Sequence, residues 1–82
     1  MSWQELIMAQ KIVQLKKNNR YYIVESVTDL FGSFVIILRW GSLKINWERK
    51  KEIPARDLEH AEKLFENAVR KKIIRGYRRL KS

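Results

Sequence analysis

The sequence predicts an α+β fold: a small antiparallel β-sheet of three to four strands with one C-terminal helix packed on it. Three observations carry that expectation. Side chains alternate at a period of two over residues 21–27. An apolar, β-branched and aromatic run broken only by Arg39 fills residues 34–40, and the period changes to helical spacing after residue 57. The 82 residues hold no internal repeat, low-complexity stretch or linker, so residues 1–82 read as one domain. A chain this short buries only about 60% of its unfolded surface, and its core must be compact. A hydrophobic content of 45%, with nine aromatic residues, suffices for such a core and argues against disorder.

Taken in order, residues 5–13 admit two readings. Leu6, Met8 and Ile12 fit a strand, whereas Ser2 with Glu5 makes a capping box for a short helix; the strand is preferred. Trp3 reads as a packing residue. Lys16-Lys17-Asn18-Asn19 has turn chemistry. In the strand that follows, Tyr21, Ile23 and Val27 point one way and Tyr22, Val24 and Ser26 the other, so at least one tyrosine is core. A turn around Gly32 spans residues 29–33. Residues 34–40 are apolar except for Arg39, which predicts a central strand covered on both faces. Residues 43–53 supply another strand, with Asn46 near its turn and Pro54 ending it. Asp57 is the expected helix N-cap, with Glu59 and Glu62 near the positive end of the dipole. Leu58, Ala61, Leu64, Phe65, Ala68 and Ile73 mark the apolar face, and Gly76 is the expected stop.

Charge narrows the function. Eighteen basic residues against nine acidic ones give a net charge of +9, which attracts polyanions and repels other copies of the chain. Nucleic acid is the commonest polyanion; a plain soluble basic protein is the bland alternative. Residues 70–82 hold seven cations (Arg70, Lys71, Lys72, Arg75, Arg78, Arg79, Lys81) and no carboxylate. Complementing a helix dipole explains two or three of these, so the excess points to a phosphate-tracking surface, with Tyr77 available to stack on a base. Lys16, Lys17 and Arg20 flank Asn18 and Asn19, whose amides suit phosphate or sugar oxygens. An enzyme is not expected. A single His60, read as exposed, no cysteine, and no phosphate-cradling loop or metal-ligand spacing leave no catalytic constellation, and no cofactor is implied. No signal-peptide or membrane-spanning pattern occurs, which makes a cytoplasmic protein the default.

The ordered set Asn18-Asn19-Arg20-Tyr21-Tyr22, Leu30-Phe31-Gly32, Arg39-Trp40-Gly41 and Arg75-Gly76-Tyr77 resembles the WGR domain family, and its stand-alone bacterial members in particular. In the poly(ADP-ribose) polymerases a WGR domain grips DNA at a break. The resemblance implies DNA-contact roles for Asn18 or Asn19, for Arg20, and for Trp40, with Arg39 beside it. Two departures bear on this. Ser42 stands where the family tripeptide has arginine, replacing a charged bidentate fork with one neutral hydroxyl. Leu43-Lys44-Ile45-Asn46-Trp47 replaces the glycines that follow in many members, and Lys44 or residues 49–51 could return the missing charge.

Trp40 has two readings, a cap on a terminal base pair or core packing at the strand end. Trp47 is either a contact residue or a cross-strand packing partner. The expected function is a monomeric, non-catalytic module that binds double-stranded DNA at an end or nick without sequence specificity. The alternative is a protein-interaction module drawn to an acidic partner. A small-molecule substrate is not expected. Neither is a membrane role, since the helix needs its apolar face for the sheet.

Overall fold

The computed structural model describes residues 8–29 and 31–80. The elements are β1 (Met8–Lys17), β2 (Arg20–Thr28), β3 (Phe34–Ser42), β4 (Trp47–Ala55), α1 (Leu58–Ile74) and β5 (Arg78–Arg79). They build one five-stranded antiparallel sheet in the order β4-β3-β2-β1-β5, with α1 on one face. The α+β layering is as expected; among the described residues the strand count is five rather than three to four. The added strand, β5, is the short segment after the helix, where Arg78 pairs with Lys16 and Arg79 with Leu15.

The core forms where the period-two face of the sheet meets the period-3.6 face of the helix. Leu15, Val24 and Ile36 stand on adjacent strands and are fully buried, with Val13, Tyr22 and Leu38 around them. Ala61, Phe65 and Val69, spaced four apart on α1, cover them. Tyr22 is thus the core tyrosine of its pair. The helix starts where expected: the Asp57 carboxylate accepts the His60 backbone N–H at 2.8 Å. The His60 ring returns the favour, its Nδ1 accepting the Arg56 N–H at 3.0 Å.

Several boundaries differ from expectation. Lys16 and Lys17 lie inside β1, opposite Tyr21 and Arg20, because backbone pairing runs up to the two-residue turn while the lysines stay in solvent. Pro54 lies within β4 rather than after it; β4 is an edge strand, which needs no donor on its outer side. β3 is covered on one face only. Ile36 and Leu38 meet the helix side, while Val35, Ile37 and Arg39 are half-buried on the other face. Leu58 and Ile73 are about half exposed, and Val69 takes the place on the core face. The readings of Trp3, Leu6 and the Ser2–Glu5 cap, and of Leu30 and Lys81, fall outside the described residues.

Candidate nucleic-acid interface

Three segments meet at the end of the sheet where β1 turns into β2. The first is the turn itself. Asn18 takes φ 54°, the left-handed region that asparagine tolerates better than most side chains. The second is the β3–β4 hairpin tip, tied to the turn by the Leu43 N–H, which donates to the Asn19 carbonyl at 2.6 Å. The third is the end of α1. Gly76 at φ 98° lets its own N–H reach the Ile73 carbonyl and the Tyr77 N–H reach Lys72, both at 3.0 Å. This pair of bonds is the Schellman closure of a helix, and it sends the chain back across the sheet edge.

The three segments enclose an open groove of about 500 Å³. Asn18, Asn19 and Arg20 come from the turn, with Lys17 just before it; Ser42, Lys44 and Ile45 come from the hairpin; Lys72, Arg75 and Tyr77 come from the helix end. Five of these ten residues are cations and none is a carboxylate. Two of the five also serve the fold. The Lys17 ammonium donates to the Arg75 carbonyl at 2.6 Å and so offsets the negative end of the helix dipole, which would otherwise repel an anion here. The Lys72 ammonium lies 4.5 Å from the Tyr22 ring centroid and 5.5 Å from that of Tyr77. Burial, with Arg75 adding to it, holds Lys72 below the ordinary lysine pKa. Arg20, Lys44 and Arg75 make no side-chain ion pair among the described residues.

The tripeptide region explains itself at atomic scale. A Cβ on Gly41 would stand 2.7 Å from the Tyr21 hydroxyl and closer still to the Trp47 backbone carbonyl, so no side chain fits. The Ser42 hydroxyl accepts the N–H groups of both Lys44 and Ile45 at 3.2 Å. Instead of carrying a charge, position 42 folds the hairpin tip so that Lys44 lines the groove. Trp40 is half-buried, stacked on Tyr22 at 5.9 Å between centroids and packed against the core. Tyr77 meets Tyr22 edge-on at 6.5 Å. Trp47 is exposed and borders a neighbouring hollow with Tyr21, Leu43 and Lys44.

The groove therefore gathers Lys17, Asn18, Asn19, Arg20, Lys44, Arg75 and Tyr77 from the residues that sequence singles out, and leaves the others elsewhere. Arg39 lies on the open face of the sheet, 3.8 Å from Glu25. Lys16 and Arg78 form a cross-strand pair on that face too. Arg70 donates to Asn67 and lies, with Arg79 and Lys11, along the far side of the helix. Lys71 lies beside Ile74 and Arg75. Helical periodicity disperses the C-terminal cations instead of aligning them.

Lys72, which the sequence offers only as one of the seven C-terminal cations, completes the groove with Ser42 and Ile45, which were not candidate contacts. The signal for Lys72 was its helical phase, since Phe65, Val69 and Lys72 follow the i, i+4, i+7 rule of the core face. Nothing in the sequence marked Ile45. His60 is half-buried and occupied in the helix cap. Among the described residues no group of three or more His, Cys, Asp or Glu side chains could hold a metal ion. Among them, too, no helix is long and apolar enough to cross a membrane.

Comparison with curated proteins and with solved structures gives no match. Comparison with family models does: the WGR domain matches residues 5–82, essentially the whole chain. WGR domains are binding modules rather than catalytic ones, and in proteins like the poly(ADP-ribose) polymerases they generally bind nucleic acid. A match over residues 5–82 covers essentially the whole chain, and the chain belongs to the WGR domain family.

Proposed function

We propose that this chain is a non-catalytic module that binds double-stranded DNA, at an end or nick, through the groove between the β1–β2 turn, the hairpin tip and the end of α1. One observation carries the reading: five cations from three separate segments line one concavity that contains no carboxylate. Arg20, Lys44 and Arg75 supply the phosphate contacts, and the Asn18 and Asn19 amides add neutral hydrogen bonds that fix register. Base sequence is not read. The helix presents its C-terminal end to the groove and its apolar face to the sheet, so no helical N-terminus is offered to a major groove.

Titration of a blunt duplex at several salt concentrations tests the proposal. Three phosphate contacts, from Arg20, Lys44 and Arg75, predict a slope of log affinity against log salt of about −2.7. No detectable binding at low salt would leave the rival reading, a module that docks an acidic protein on the same surface.

A further inference from the structure

We propose that Ile45 seats against the open face of a terminal base pair, so that the hairpin tip is what separates a duplex end from continuous duplex. The inference rests on the groove being a nucleic-acid site.

Ile45 is 63% exposed and takes no part in the core, yet it lines the same concavity as Arg20, Lys44 and Arg75. An aliphatic side chain among cations gains nothing from phosphates. It gains from any apolar surface that phosphate binding brings alongside it. In continuous duplex every base-pair face is already stacked on its neighbour. A terminus exposes one such face, flanked by the last phosphates of its two strands. Charge on the groove walls and one apolar side chain among them match that combination, and aliphatic residues serve as wedges against base steps elsewhere.

The tip is also held in place before any ligand arrives. The Ser42 hydroxyl accepts the Ile45 N–H at 3.2 Å, the Ile45 carbonyl accepts the Trp47 N–H at 2.8 Å, and the Leu43 N–H is bound to Asn19. A backbone fixed on both sides of Ile45 loses little freedom when that side chain is covered. Trp40, to which the family resemblance gives the terminal contact, is instead stacked on Tyr22 and packed against the core, outside the groove lining. Ser42 has a positive role on this reading, since its hydroxyl builds the turn that places Lys44 and Ile45 side by side.

The test compares a blunt-ended hairpin duplex, a relaxed closed circle and a single strand as competitors for the wild-type chain and for Ile45→Ser, Ile45→Phe and Lys44→Ala variants. The wild type should prefer the blunt end to both the circle and the single strand. Ile45→Ser should lose roughly five- to tenfold in affinity for the end, the scale expected for covering part of an exposed isoleucine, with circle affinity and salt slope unchanged. Ile45→Phe should keep or raise the preference, which a merely structural role would not allow. Lys44→Ala should weaken end and circle alike and reduce the salt slope by about one unit. An Ile45→Ser chain with undiminished end preference overturns the inference. So does a wild type that binds ends and circles equally, or the single strand as well as the end, although the groove would remain a nucleic-acid site. Loss of all binding overturns both proposals together.

Discussion

Gly41 is the residue whose identity the fold constrains most tightly. Its missing side chain lets the Trp47 carbonyl and the Tyr21 ring close over β3, and Tyr21 in turn donates to Glu48 at 2.5 Å. Gly41→Ala should cost about 1–3 kcal/mol in chemical denaturation, the range for overpacking. Adding Tyr21→Ala should recover only part of that loss, because the nearest obstacle is backbone. The Gly41 position was legible as a motif letter; the reason for it was not, since the obstacles come from the neighbouring strand and from the return of the hairpin. Ser42 is the converse case. Read as a sequence it is a lost cation, and only its two accepted N–H bonds reveal a turn-forming role.

Tyr22 carries a pH signature at the same scale. Burial raises its phenol above the ordinary value of 10.0, and Tyr77 adds to the shift. The unfolded chain therefore loses this proton first as pH rises past 10. The stability due to the neutral buried ring is complete below that pH and falls as pH climbs through the folded-state value. Lys72 works in the opposite sense, because its lowered pKa means that the unfolded chain holds the extra proton. Comparing wild type with Tyr22→Phe isolates the tyrosine: the urea midpoint should fall less steeply above pH 10 in the variant. Equal slopes would show that the ring is not buried in its neutral form.

At the scale of elements, the helix was the most legible part, and its ends explain why. Asp57 and Gly76 are local signals that need no tertiary information. Asp57→Ala should cost about 1 kcal/mol, within the range for lost N-caps, with the helix otherwise intact by circular dichroism. A cost near zero would mean that the His60–Arg56 bond holds the terminus by itself. The less legible elements were those fixed by neighbours. β5 is two residues long and exists because Leu80 and Arg79 meet Gln14 and Leu15 across the sheet edge, a pairing that no period in the sequence announces. Pro54 reads as a strand terminator, and only the edge position of β4 makes it tolerable within the strand. The C-terminal cations were legible as an excess, but helix phase and the turn at Gly76 send Arg70 and Arg79 to one side and Arg75 to another.

For the whole molecule, a net charge of +9 supplies a long-range field, and the fold decides where that field acts at short range. The open sheet face mixes signs, as in the Arg39–Glu25 and Lys50–Glu52 pairs, whereas the groove holds cations alone. The sequence made the field plain. It could not show the groove, because Arg20, Lys44 and Arg75 lie in three elements that only the packed sheet and helix bring together. On the proposed function, placement in the groove, not total charge, governs nucleic-acid binding. The most direct test sets Lys44→Glu/Arg75→Glu against Lys50→Glu/Lys63→Glu, which changes net charge equally on the open face and on the outer helix surface. Duplex binding should collapse in the groove variant, with a salt slope shallower by about two units, while the control stays close to wild type. Equal losses of affinity in the two variants would contradict the account.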